Sequence, residues 1–127
     1  MFSVLFVEDE PELVRRFSDA ILTAPDLHLV GAVSSGAAAL AMLDVVAPHV
    51  VLVDLGLPDV NGVKVIQHAV TKHPTADVLV ITMFGDDTHV LASIAAGATG
   101  YLLKDMNMER IVASIREVHG GGSPISP

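Results

Sequence analysis

Residues 4–12 read V-L-F-V-E-D-E-P-E: an apolar run at residues 4–7 passes straight into three adjacent acids, Glu8, Asp9 and Glu10, and then into Pro11. A short, continuous apolar run suits a strand covered on both faces, since such a strand has no solvent side on which to alternate polar residues. Proline just afterwards suits the first turn of a helix, where its missing N–H is not needed. This stretch therefore reads as a strand, an acidic loop and a helix start in direct succession.

The same unit recurs along the chain. Apolar runs at residues 27–33, 50–55, 78–84 and 100–103 predict four more strands. The segments between them carry apolar residues at helical spacing: Leu13, Phe17, Ala20 and Ile21, then Leu40, Leu43 and Ala47, then Val63, Ile66 and Val70. Val90 or Leu91 with Ile94 and Ala98 make a fourth stripe, and Met108, Ile111, Val112, Ile115 and Val118 a fifth. Pro25, Pro48 and Pro74 close the segments before strands two, three and four. Strand and helix alternating through short connections imply right-handed crossovers and a parallel sheet with helices on both faces. The expected fold is a single doubly wound α/β domain, with its ligand site beyond the carboxyl ends of the strands.

Bulk composition narrows the function. A chain of 127 residues suits one domain with one buried core. Seven basic against fifteen acidic side chains give a net charge of −8, which repels phosphate backbones and argues against direct nucleic-acid binding by this domain. No apolar run approaches the roughly 18–20 residues that cross a bilayer, and the N-terminus lacks the basic region of a signal peptide, so no membrane role is expected and the cytoplasm is the simplest compartment. With no cysteine there is neither a disulfide framework nor a thiolate metal site.

The strand ends carry the chemistry. Strand one ends at Glu8, Asp9 and Glu10, strand three at Asp54, strand four at Thr82 and strand five at Lys104. Carboxylates brought to one rim repel each other and raise a pKa unless a cation joins them. A hard divalent ion with oxygen ligands answers that need, and Mg²⁺ suits a site of a few carboxylates, a carbonyl and waters. The chain has no GxGxxG and no GxxxxGK[ST], and its first loop offers acids rather than a glycine-rich phosphate cradle. A phosphoryl group approaches such acids only with a metal and a further cation, which Lys104 supplies.

Four motifs in order, "VEDE" at the first strand end, "VLVDLGLPDVNG" around the third, "VITMF" at the fourth and "GATGYLLKD" at the fifth, make the whole chain resemble the receiver domain of bacterial two-component response regulators. The "GATGYLLKD" form and the tail "IREVHGGGSPISP" are most similar to regulators with a C-terminal helix-turn-helix domain of the LuxR type. The resemblance implies a flavodoxin-like (βα)5 fold with strand order 2-1-3-4-5, a receiver over residues 1–119, and a flexible tail at 120–127 that begins a linker to a DNA-binding domain. It implies that Asp54 is the phosphoacceptor for a sensor histidine kinase. Mg²⁺ or Mn²⁺ would be held by Asp9, Asp54 and the Gly56 backbone carbonyl, with Glu8 acting through a bound water. Lys104 and the Thr82 hydroxyl would neutralise phosphoryl oxygens, and Thr82 with Tyr101 would form the switch. Transcriptional output and a homodimer strengthened by phosphorylation are the implied consequences, and the protein would catalyse only its own phosphorylation and dephosphorylation. Pro58 and Gly62 read as loop-shaping, Glu10 as incidental, Asp86 and Asp87 as caps of the fourth helix, and the six histidines as surface or packing residues.

Two departures from the family pattern stand out. Asp105 follows the lysine where many receivers have proline, often after a cis peptide, a geometry several kcal/mol more costly before other residues. Bulky Met83 and Phe84 follow Thr82, where a small residue is common. Two further readings compete. One is a phosphorylation-independent receiver acting as a protein-binding module, against which the retained acids, Thr82 and Lys104 argue. The other is a metal-dependent phosphatase, which lacks a general-acid Asp because position 56 is Gly.

Overall fold

The computed structural model describes residues 2–82 and 87–121, with the backbone alone at Asp87. Strands β1 (Phe2–Val7), β2 (Leu27–Val33), β3 (Val50–Asp54), β4 (Asp77–Thr82) and β5 (Gly100–Leu103) alternate with helices α1 (Pro11–Thr23), α2 (Gly36–Val45), α3 (Gly62–Lys72), α4 (Asp87–Ala95) and α5 (Met108–His119). All strand pairs are parallel and the order is β2-β1-β3-β4-β5, the doubly wound arrangement expected.

The apolar runs feed two cores, one on each face. Alternate strand residues Val4, Phe6, Val50, Leu52, Leu79 and Ile81 pack with Phe17, Ile21, Ile111 and Ile115 of α1 and α5. Their neighbours Leu5, Val7, Val51, Val53, Val78 and Val80 pack with Leu43 of α2 and Val65 and Ile66 of α3. Period-two side-chain direction with apolar residues at every position is what a sheet buried on both faces requires. Phe6 and Phe17 stack at 5.0 Å between centroids, joining β1 to α1.

Three helices differ in detail from the expected stripes. In α2 the buried set is Gly36, Ala39 and Leu43; the helix ends at Val45, so Ala47 lies past it and is exposed. In α3 the inward residues are Gly62, Val65, Ile66 and Ala69, a face turned by about a residue from Val63, Ile66 and Val70. The cause is Gly62, where an added Cβ would stand 2.9 Å from the Asp54 carbonyl oxygen, so this position must lie against the sheet. The largest difference is at α4: of the fourth stripe, Val90 is half-buried and Ala98 buried, but Leu91 and Ile94 are 70% and 43% exposed while Ser93 is fully buried. Gly97, just past the end of α4, adopts φ +116 and lies so close to Val70 that a Cβ would sit 2.9 Å from a methyl. The ends of α1 and α5 match expectation, with Pro11 in the first turn of α1 and Ile111, Val112, Ile115 and Val118 buried in α5. Residues Met83, Phe84 and Asp86 and the tail from 122 onward lie outside the described residues.

Candidate functional site

Register brings the site together. Val7 pairs with Val53, Asp54 with Ile81 and Thr82 with Leu103, so the strand ends finish level across the sheet. Glu8 follows Val7, and Lys104 follows Leu103. Glu8 N–H donates to the Val33 carbonyl and Lys104 N–H to the Thr82 carbonyl, at 3.0 and 2.9 Å, so the strand pairing continues one step into the rim. Residues up to 96 positions apart in the chain thereby share one edge.

Glu8, Asp9 and Asp54 each offer a carboxylate oxygen, and the three oxygens lie within 4.8 Å of one another. Glu8 and Asp54 are buried and Asp9 is exposed, so the group opens to solvent on the Asp9 side. Lys104 Nζ stands 3.1 Å from Asp54 Oδ1 and 3.4 Å from Glu8 Oε1, bridging the two buried acids. Glu8 Oε2 accepts from the backbone N–H groups of Asp9 and Glu10 at 2.9 and 3.4 Å, whereas buried Oε1 accepts from no backbone N–H and has the 3.4 Å ion-pair contact with Lys104. Three convergent carboxylates, two of them buried and sharing one lysine, are the donor set that a hard divalent cation takes, so these residues fit a metal ion.

Burial pushes the Glu8 carboxyl up to about 8, and Asp54 reinforces this as a hydrogen-bonding and like-charged neighbour, against the opposing pull of Lys104. Burial works against the Lys104 ammonium, but the adjoining Asp54 and Glu8 outweigh it and raise its value above the ordinary one. One lysine shared with Asp54 thus supplies too little positive charge to offset the burial of Glu8.

Gly56 N–H donates to Asp54 Oδ1 at 3.1 Å, and an added Cβ there would make ordinary 3.7 Å contacts. Its role as a ligand would come from its backbone, whatever its residue type. Thr82 is buried at the end of β4, and Tyr101 is half-buried on β5, packed against the α2–α3 side of the core. Glu10 is exposed, forms no side-chain cap and stays outside the acidic group. None of the six histidines joins that group either; His49, His68 and His73 bind Ser3, Asp44 and the Leu43 carbonyl. The described residues contain no cis peptide, so Lys104–Asp105 is trans.

Sequence reading missed the fastening of the loop after Asp54. Asp59 Oδ1 and Oδ2 accept from Gly36 and Ala37 N–H at 2.9 and 3.0 Å, capping α2 from a distance, while Ser35 Oγ accepts from Ala38 N–H at 3.1 Å. Asn61 Oδ1 accepts from Val63 N–H at 2.9 Å and caps α3. Ser before Gly and Asn before Gly at helix starts are legible cap signals. A cap supplied from 22–23 residues away is not.

Known proteins share this fold. The family described as the response regulator receiver domain matches residues 4–116, and the chain belongs to it. The chain is 34% identical over 125 residues to the uncharacterized transcriptional regulatory protein YhcZ of Bacillus subtilis, covering 96% of this chain and 57% of that protein. It is 32% identical over 120 residues to the DNA-binding transcriptional activator DevR/DosR of Mycobacterium tuberculosis, covering 94% and 55%. Among solved structures, the signal receiver domain of a Mycobacterium tuberculosis response regulator, NarL, superposes with a TM-score of 0.86 at 28% identity, covering 94% of this chain and 97% of that one. Its relatives are response regulators of the LuxR/NarL type, a family of signalling switches rather than metabolic enzymes. The chain spans little more than half the length of the curated relatives it matches.

Proposed function

We propose that this domain accepts a phosphoryl group on Asp54 from the phosphohistidine of a sensor histidine kinase and thereby switches a transcriptional output. The convergence of Glu8, Asp9 and Asp54 with Lys104 on one rim carries this reading. An Asp54 carboxylate oxygen attacks phosphorus, the P–N bond to the kinase imidazole breaks, and the imidazole leaves with its bonding pair and takes up a proton. Little covalent work falls to the protein, so its task is positioning and charge neutralisation. Lys104 and Gly56 N–H already hold Asp54 Oδ1 at 3.1 Å each, which sets the plane of the nucleophile.

Asp9, Asp54 and the Gly56 carbonyl would hold Mg²⁺ or Mn²⁺, with Glu8 acting through a bound water. Bound there, the ion supplies Lewis-acid neutralisation of phosphoryl charge. Lys104 moves from its acid partners to a phosphoryl oxygen, and the Thr82 hydroxyl takes another. Displacement of Thr82 makes room for Tyr101 and remodels the surface of α4 and β5, a local charge event with a distant readout. Residues 120–127 lead into a DNA-binding domain, the active form is a homodimer, and the protein works in the cytoplasm. Supporting this, the relatives are transcriptional regulators of nearly twice the length, and among the described residues no helix is long and apolar enough to cross a membrane.

The test is intact-mass measurement after incubation with Mg²⁺ and a phosphorylated sensor kinase or a small acyl-phosphate donor. The wild-type chain gains one phosphoryl group, Asp54→Asn and Asp9→Ala gain none, and Glu10→Ala labels as the wild type does. Equal labelling of Asp54→Asn overturns the proposal.

A further inference from the structure

We propose that Asp59 is a positioning residue for the metal site: clamped on the first turn of α2, it sets the course of the loop at 55–61 and so aims the Gly56 backbone carbonyl. This rests on the functional reading above.

A backbone carbonyl has no side chain to steer it, and Gly56 is exposed and conformationally permissive. Its direction is therefore set by whatever anchors the loop on either side. Upstream the anchor is Asp54, which accepts from Gly56 N–H. Downstream, Leu57 is buried in the α2–α3 core, and Asp59 then reaches across to α2 with both carboxylate oxygens. Val60 closes the same contact: a Cβ on Gly36 would stand 2.4 Å from the Val60 Cβ, so only glycine lets the loop lie this close. Gly36 thus serves the approach of loop to helix.

The charge of Asp59 is consumed in this clamp. The two N–H groups at the positive end of α2 hold its carboxyl below the usual range. The acidic group at the rim contains Glu8, Asp9 and Asp54 and does not include Asp59. A carboxylate three positions from a metal-binding carbonyl is in this way kept ionised yet spent on the loop, and does not compete for the ion.

The experiment titrates the whole chain with Mg²⁺ alone and measures amide hydrogen exchange at Gly56 in the metal-free protein. Asp59→Ala should weaken Mg²⁺ binding about tenfold, the low end of losses when partners behind a metal site are removed. Gly56 exchange should accelerate in the same variant. Asp59→Asn keeps one acceptor oxygen and the fold, and should fall between, at about threefold. Ser35→Ala removes the other side-chain cap of the same helix end without touching the loop, and should lower thermal stability while leaving both readouts unchanged. Unchanged Mg²⁺ affinity and Gly56 exchange in Asp59→Ala overturn the proposal, as does a Ser35→Ala variant that shifts both as far. A wild-type chain that binds no Mg²⁺ overturns the functional reading and this one with it, whereas a binding wild type beside an unaltered Asp59→Ala overturns this one alone.

Discussion

Helices α5 and α4 both contact β4, α5 packing beside α1 and α4 beside α3, and they are held by different means. α5 is capped by Asn107, whose Oδ1 accepts from Arg110 N–H at 2.8 Å, and it buries Ile111, Ile115 and Val118 almost completely. Arg116 ties it to Asp26 through paired 2.8 and 2.9 Å hydrogen bonds. α4 turns a serine inward, its Oγ donating to the Val90 carbonyl at 2.7 Å, and leaves Leu91 and Ile94 in solvent. Residues 88–103 contain no Asp, Glu, Lys or Arg. The difference separates a face built for stability from one lightly held beside Thr82 and the rim. Elements with few buried apolar contacts open at low free energy, as a moving part must.

Deleting a buried side chain of α5 should cost most. Ile115→Ala is expected to lower unfolding free energy by about 2–5 kcal/mol in denaturant titration. A loss under 1 kcal/mol would erase the contrast between the two faces.

The rim should show its own cost through pH. Because the Glu8 value lies near 8 in the folded chain, against an ordinary 4.5, the folded state keeps a proton that the unfolded state has released between these limits. Metal-free stability therefore falls as pH rises from 4.5 to 8, and is flat with respect to this group below and above that window. The drop is on the order of 2–4 kcal/mol, and saturating Mg²⁺ should flatten it. A rise in metal-free stability across that window, followed in a Glu8→Gln comparison, would refute the assignment.

Gly97→Ala probes the turn that follows α4. A non-glycine residue at positive φ costs about 1–3 kcal/mol, and the new methyl meets Val70. Hydrogen exchange should quicken in α4 before α5; equal quickening would mean the helices open together.

Smallest of all, Leu91→Ser should change stability by no more than about 0.5 kcal/mol. A larger loss would show that the outward face of α4 is covered in solution.

Much of this molecule was legible from residue order. β1, β3 and β5 announced themselves as apolar runs, Pro11 marked the start of α1, and the five residues of the α5 stripe lie on its inward side, Met108 half-buried. Glu8, Asp9, Asp54 and Lys104 stood out because charge at the end of a buried strand is conspicuous. Other features escaped for definite reasons. Apolar spacing ranks the faces of a helix but does not weigh backbone contact, so Gly62 against the Asp54 carbonyl turned α3 away from the face its valines indicated. In α4 the same rule offered Val90 or Leu91 with Ile94 and Ala98; Ala98 is buried and Val90 half-buried, whereas Leu91 and Ile94 stay exposed and Ser93 takes the inward place.

Periodicity and punctuation are local quantities, written in neighbouring residues, and from them the chain alone settled the alternation of strands and helices, the doubly wound class and the acidic strand ends. Distances across the sheet are set by strand register and by close backbone approach, which depend on partners remote in the chain. Only the tertiary structure therefore decided that Lys104 bridges Glu8 and Asp54, that Asp59 belongs to α2, and that the helix beside the rim carries its leucine outward.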